Sequence, residues 1–310
     1  MSNIAHSTES PSPQVDQPEQ IEETEEGPKE SASRPAGILR RVWSQSQGKI
    51  GTVLTALVLV IALFGPLLAP VLTGYEPTAF ADRPFSSAGI FGTDNLGRSV
   101  ASRFLSGGLL LLTYSAAATL VGLVLGALLG MIAGYAGGVV DSVIMRLNDI
   151  LLAFPQLVLA LLAIVVFGPN GLVLVIVIGL THMPRIARVA RSATLNVTHE
   201  DYVRAAEMYA MPRLRVLSRE IFPNITGPLS VEAGLRLTYS IGAIASLSFL
   251  GVGLQPPAAD WGLMINENRI ALSVQPWGVI LPVIAIAVLT IGTNLLADAI
   301  ARATATTNVG

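Results

Sequence analysis

Apolar residues run along this chain in long blocks, and the charged residues are confined to the gaps between them. Five uncharged runs stand out: Ile50 to Tyr75 (26 residues), Phe104 to Val140 (37), Ile150 to Pro184 (35), Leu237 to Ala259 (23) and Ile270 to Ala297 (28). A helix crossing a hydrocarbon core about 30 Å thick needs about 20 largely apolar residues. The 35-residue run is too long for one such helix, at roughly 50 Å for 1.5 Å per residue. Gly168-Pro169-Asn170-Gly171 is a strong turn signal and divides it into 18 and 13 residues. Each half then extends past charged neighbours, Arg146 and Asp149 on one side and Arg185 and Arg188 on the other, as a hairpin whose charged ends share a surface. The second run ends in the loop Gly134-Tyr135-Ala136-Gly137-Gly138. The pattern predicts six membrane spans, near 50–72, 108–133, 143–167, 171–190, 228–250 and 276–300.

Composition agrees with a membrane protein and adds an orientation. The 310 residues are 52% hydrophobic and 13% charged, against about 25% charged in a typical globular domain. The first 35 residues hold eight acids and two bases, net −6, so the rest carries +4. Rich in Ser, Pro, Glu and Gln and without aromatics, residues 1–35 read as a disordered acidic tail. That segment lacks the basic start and early apolar core of a secretory signal, so the first apolar run reads as a retained span. Residues 36–107 then hold the first span and an outer loop, 108–303 form a core of five spans with a loop at 191–224, and 304–310 end the chain. Six spans place both termini on one side. Twelve Lys or Arg fall on that side, seven of them in the loop between spans four and five (Arg185, Arg188, Arg191, Arg204, Arg213, Arg215, Arg219), and four on the other. The positive-inside rule makes the terminal side cytoplasmic. Trp43, Trp261 and Trp277 sit beside span ends, where amphipathic rings favour the interface.

The absence of cysteine excludes disulfides, thiol nucleophiles and Cys-ligated metals. His6, His182 and His199 lack metal-ligand spacing. The residues of interest are instead in the Arg-rich loop. Thr198 and Asp201 fit a capping box, after which Tyr202, Ala205, Ala206 and Tyr209 share a helical face. Glu200 and Arg204 are spaced to pair, and Pro212 suits the first turn of a second helix with Leu214, Leu217 and Ile221 as its apolar stripe. Two short amphipathic helices on the cytoplasmic surface result, and these residues alone suit a lipid interface and a protein groove equally. Gly122, Gly126, Gly130 and Gly134 place a small residue at every fourth position of span two, which allows close helix approach. Glu232 and Arg236 form an i, i+4 pair within span five. Asp94 and Arg98 are spaced to pair in Phe91-Gly92-Thr93-Asp94-Asn95-Leu96-Gly97-Arg98, on the outer side.

At the loop the chain resembles the inner-membrane permease subunits of binding-protein-dependent ABC transporters, of the dipeptide/oligopeptide (DppC/OppC-like) type. Their signature, EAA, three residues, Gly and a downstream Pro, stands here as Arg204-Ala205-Ala206, Ala210 and Ile221-Phe222-Pro223-Asn224, with Arg204 in place of Glu and Ala210 in place of Gly. The resemblance extends through FGTDNLGRSVASRFLSGG (Phe91 to Gly108), YAGGVVDSVIMRLNDILLAFP (Tyr135 to Pro155), IARVARSATL (Ile186 to Leu195), FLGVGLQPPAADWG (Phe249 to Gly262) and NLLAD (Asn294 to Asp298). It implies an all-α polytopic membrane protein with the type I ABC importer permease fold and cytoplasmic coupling helices. It further implies a non-catalytic subunit in the bacterial inner membrane, working beside a second homologous permease, two cytoplasmic ATPase subunits or domains and an extracytoplasmic solute-binding protein. The coupling positions are Tyr202, Arg204, Ala205, Ala206, Tyr209, Ala210 and Met211. The chain has no GxxxxGK(S/T) phosphate loop, so ATP and Mg belong to partner subunits and no cofactor is expected here. Its surroundings are lipid and protein, with no nucleic acid. Di- and oligopeptides are the expected substrates, with nickel or another small solute as the alternative. An ion-coupled secondary transporter is the reading from a different class, and it calls for inverted repeats or ion-binding acids inside the membrane.

Overall fold

The computed structural model describes residues 35–305, so the acidic tail and residues 306–310 lie outside the described residues. Eleven α-helices account for most of the described chain: α1 (Pro35–Ser44), α2 (Ser46–Thr73), α3 (Val100–Ala136), α4 (Gly138–Leu152), α5 (Gln156–Phe167), α6 (Gly171–Thr198), α7 (Asp201–Met208), α8 (Arg213–Arg215), α9 (Phe222–Phe249), α10 (Trp261–Asn268) and α11 (Trp277–Ala305). A π-helical turn, Val216–Ile221, joins α8 to α9. The described strand pairing is limited to isolated bridges in the loop between α2 and α3.

Lipid is as apolar as leucine, so helices in a bilayer associate through close packing more than through hydrophobic transfer. Here the closest packing is α3 against α6. A Cβ added at Gly122, Gly126, Gly130 or Gly134 would meet, in turn, Gly179 O at 2.8 Å, Met183 O and Ile186 Cβ at 2.7 Å, Ala187 O closer still, and Arg191 O and Thr194 Cβ at 2.9 Å. The four glycines therefore seat the two backbones almost in contact along the shared length. Around this pair Leu111, Ile178, Ile241, Ile244 and Leu247 are fully buried and join α3, α6 and α9 in one core. On the outside, α2 lies against α3 and α11, with Gly65 beside the Leu105 backbone and Gly51 beside Leu296. The bundle has two ends: a near end, where α3 and α6 finish and α9 begins, and a far end, where α3 starts and α9 finishes.

Several predicted boundaries shift. The second span starts at Val100 rather than near 108, because Ser99 caps the helix by accepting from Ser102 N, and Arg103 inside it finds buried partners described below. The third span is two helices: α4 and α5 meet at an 84° bend across Ala153-Phe154-Pro155, where Pro155 cannot donate to the helix and biases Phe154 away from helical geometry. Helix α6 runs to Thr198 instead of stopping near 190, so Thr198 is helical, its hydroxyl bonds back to Leu195 O, and Glu200 takes the cap position of α7. The capping box does not form. Four helices, α2, α3, α6 and α11, are long and apolar enough to cross a membrane, and the bent α4–α5 pair makes a fifth if counted as one span. The fifth predicted span corresponds to α9, which is 28 residues long but less apolar. Its Glu232, Arg236, Thr238, Ser240 and Ser248 are buried against neighbouring helices.

Candidate functional site

At the near end, α7 lies across the ends of α3 and α6. Val203 and Ala206 face inward and are buried with Ala127, Met131, Ile186, Ala190, Val216, Ile221 and Ile225. Tyr135 at the end of α3 lies beside Glu207. Tyr202, Ala205, Met208, Tyr209, Met211 and Leu214 are exposed, Met208 and Tyr209 each to 81%. Of the four residues expected on one outward face, Ala206 points the other way. At 100° per residue, the body-facing sector is centred between Val203 and Ala206, which turns Ala205 and Met208 outward and sets Tyr202 and Tyr209 side by side on one flank. Leu214 likewise is exposed rather than part of a packed stripe with Ile221. Arg204, Arg213, Arg215 and Arg219 are exposed around this face, and the pair expected between Glu200 and Arg204 does not form.

Ala210 ends α7 in a left-handed conformation, with φ 55°. Met211 N donates to Ala206 O at 3.1 Å and Ala210 N to Glu207 O at 2.9 Å. These two bonds make a Schellman cap, whose left-handed residue is usually glycine. An L-residue with a Cβ in that region costs about 1–2 kcal/mol. The cap turns the chain sharply, so Met211 and Leu214 are exposed beside Tyr209.

The far end is organised around charge. Asp94 Oδ1 accepts from Leu96 N and Arg98 N, each at 2.9 Å, which shapes the turn. Asp94 Oδ2 lies 2.7 Å from Arg98 Nε and 2.8 Å from Arg103 Nη1, and both arginines also reach Glu267 Oε2, at 3.1 and 2.8 Å. All four side chains are buried. Asn268 Oδ1 accepts from Asn95 N, and Arg103 Nη2 donates to Ala258 O. Asp260 caps α10 through Leu263 N, and the fully buried Trp261 donates Nε1–H to Phe104 O at 2.8 Å. Burial pushes Glu267 up to about 7, although Arg98 opposes the shift and Asp94 reinforces it. Burial likewise raises Asp260 to about 6 against its hydrogen bonds. The Asp94–Arg98 pair was legible from spacing. Arg103 and Glu267 were not, because they lie far apart in the sequence and meet only through the fold.

Between the ends, α5, α9 and α11 line a groove of about 530 Å³, walled by Gln156, Thr238, Tyr239, Ser246, Thr290 and Asn294 together with Leu157, Gly242 and Ile291. Its polar groups are hydroxyls and amides. Deeper in the bundle, Ser240 Oγ lies 3.0 Å from both His182 Nε2 and Thr119 Oγ1, which ties α9 to α6 and α3.

A polytopic helical bundle with a buried far-end brace, an exposed near-end face and an open groove between α5, α9 and α11 defines a membrane transport component. Residues 126–306 match the family described as binding-protein-dependent transport system inner membrane component, and the chain belongs to that family. It is therefore a multi-pass inner-membrane protein. Among similar proteins, the dipeptide transport system permease protein DppC of Alkalihalophilus pseudofirmus is 33% identical over 252 residues, 80% of this chain and 82% of that one. The oligopeptide transport system permease protein OppC of Bacillus subtilis is 31% identical over 270 residues, 87% and 88% of the two chains. The crystal structure of an amino acid ABC transporter aligns with a TM-score of 0.47 at 18% identity, covering 64% of this chain and 93% of that one.

Proposed function

We propose that this chain is one of two permease subunits in an ATP-driven, binding-protein-dependent importer of di- and oligopeptides, forming half of the translocation pathway. The dipeptide and oligopeptide names of its relatives support the substrate class. The near end is the cytoplasmic end, in keeping with its arginines, so both termini are cytoplasmic.

The observation that carries the coupling role is the outward face of α7. Tyr202, Ala205, Met208 and Tyr209 form an aromatic and apolar knob, held from behind by buried Val203 and Ala206. Rigid backing and exposed aromatics are the features of an interface anchor. This face docks into a cleft on a cytoplasmic ATPase subunit, which binds the ATP and Mg. Closure of the ATPases moves α7, and the close α3–α6 pair carries that displacement along the bundle as one body. Arg204 beside the knob favours an acidic residue on the facing cleft. The glycine row acts as structural seating, and the groove walled by α5, α9 and α11 contributes the pathway's surface.

The test is reconstitution. Expressed with its neighbouring genes, the chain is expected to co-purify with a second permease and a phosphate-loop ATPase, and to import labelled peptide into liposomes only with ATP and the binding protein. Uptake by this chain alone, driven by an ion gradient, would overturn the reading.

A further inference from the structure

We propose that Arg236 is a carboxylate-binding residue at the groove, engaging the C-terminal carboxylate of a peptide as it passes Tyr239; the proposal rests on the peptide-importer reading above. Arg236 is 7% exposed, and its guanidinium carbon lies 5.0 Å from the centroid of the Tyr239 ring. Tyr239 is a wall of the groove and is 55% exposed. The arginine thus packs on the ring of a groove-wall residue, where cation–π contact holds it.

Its hydrogen-bonding capacity is largely unspent. A guanidinium carries five donors in a fixed fork, and buried donors ordinarily all find partners. Arg236 Nε lies 2.7 Å from Glu232 Oε1, yet neither Nε nor Nη1 makes an aligned hydrogen bond. Glu232 neutralises the charge without satisfying the fork. At the far end, by comparison, Arg98 Nε and both Nη groups of Arg103 are met by carboxylates and a carbonyl, and Arg103 Nε alone of these is left over.

The position also suits a moving substrate. Glu232 precedes Tyr239 by seven residues, two helical turns within about 20°, so the ion pair continues the groove's side of α9 toward the near end. The groove walls offer neutral hydroxyls and amides, and a peptide carboxylate crossing there needs a positive partner to offset the cost of leaving water. Arginine takes a carboxylate in two parallel bonds. Exchanging the Glu232 carboxylate for the peptide's keeps the guanidinium compensated at every stage, which avoids the penalty of a buried unpaired charge. No bond is made or broken covalently, and the freed Glu232 is available to the peptide's ammonium group.

The experiment uses the assembled importer in liposomes with ATP and binding protein, labelled dialanine and trialanine as probes, and the variants Arg236→Gln, Arg236→Lys, Glu232→Gln and Glu232→Gln/Arg236→Gln. Arg236→Gln is expected to lower initial uptake at least tenfold and to reduce the thermal midpoint, because it strands Glu232. The double variant is expected to recover the thermal midpoint but keep the tenfold loss, and Arg236→Lys to lose less than Arg236→Gln. Uptake restored to the wild-type rate in the double variant would show the pair to be a packing contact and end the proposal, as would wild-type uptake by Arg236→Gln alone. If the unmodified importer moves neither peptide, the peptide reading fails on its own, before any Arg236 variant is compared.

Discussion

The two ends of the bundle use charge and aromatic residues in opposite ways. At the far end, Asp94, Arg98, Arg103 and Glu267 turn inward onto one another, and Trp261 is wholly buried over Gly107 and Gly108. At the near end, Arg204, Arg213, Arg215 and Arg219 turn outward, and Tyr209 is 81% exposed. The first arrangement pairs its charges within the chain and braces the loop between α2 and α3 against α10. The second leaves its interaction capacity open to another molecule. Changes at the far end should therefore act on stability, and changes at the near end on coupling.

The largest effect is expected from Asp94→Asn. The amide oxygen can still accept from Leu96 and Arg98 backbone N–H, so the turn is spared and only the charge is lost. Two buried arginines then face the single carboxylate of Glu267. Breaking a buried pair from one side costs about 3–5 kcal/mol. Thermal unfolding of the purified complex checks this, and an unchanged midpoint would mean that the brace is not what holds the far end.

A pH titration sharpens the same point with a smaller effect. Glu267 titrates at about 7 in the folded protein against an ordinary 4.5, so the folded state holds a proton that the unfolded chain releases. The stability contributed by that proton is complete below 4.5 and is lost as pH rises through about 7. Asp260, raised to about 6, has the same sign. Stability should therefore fall between pH 5 and 8, by about 1–3 kcal/mol. Glu267→Gln should flatten the slope, and a wild-type profile that rises with pH would contradict the assignment.

What the sequence showed, and what it hid, follows the same division. The uncharged runs located the long helices, because lipid demands unbroken apolar length, and the loop between α6 and α9 was found from its arginines. Local pairs such as Asp94–Arg98 and Glu232–Arg236 follow from helical spacing and are present. Arg103 and Glu267 meet across 164 positions, and no local period reports such a contact. The bend at Pro155 was masked by a length rule that counts apolar residues and ignores the missing N–H. Ala206 was assigned outward because a face drawn from aromatic residues ignores which sector the body covers, and Val203 marks that sector.

Ala210→Gly tests the near end's own strain. With φ at 55° in the Schellman cap, glycine removes the Cβ penalty but adds unfolded-state entropy. The net expectation is a gain of about 0.5–1 kcal/mol. Because the cap keeps its hydrogen bonds, ATPase coupling should be unchanged; a loss of coupling would mean that the alanine methyl itself touches the partner.

The smallest expected stability effect belongs to Tyr209→Ser combined with Tyr202→Ser. Tyr209 is exposed, and a surface change of this kind stays within about 0.5 kcal/mol. Tyr202 is 40% exposed and lies beside Tyr209 on one flank of α7, while Val203 and Ala206 continue to hold the helix on the body. If the knob is the ATPase anchor, losing two aromatic side chains removes about 2 kcal/mol or more from each docking contact, a thirtyfold weakening. Peptide-stimulated ATP hydrolysis and co-purification of the ATPase should then collapse while the thermal midpoint of the permease pair stays put. Arg204→Ala on the same face should weaken docking less and make it less sensitive to salt, since an exposed charge contributes mainly through long-range attraction. A double tyrosine variant that unfolds the pair but leaves the ATPase bound would reverse the contrast between the two ends, making α7 the structural element and leaving the coupling contact to be sought elsewhere on the near end.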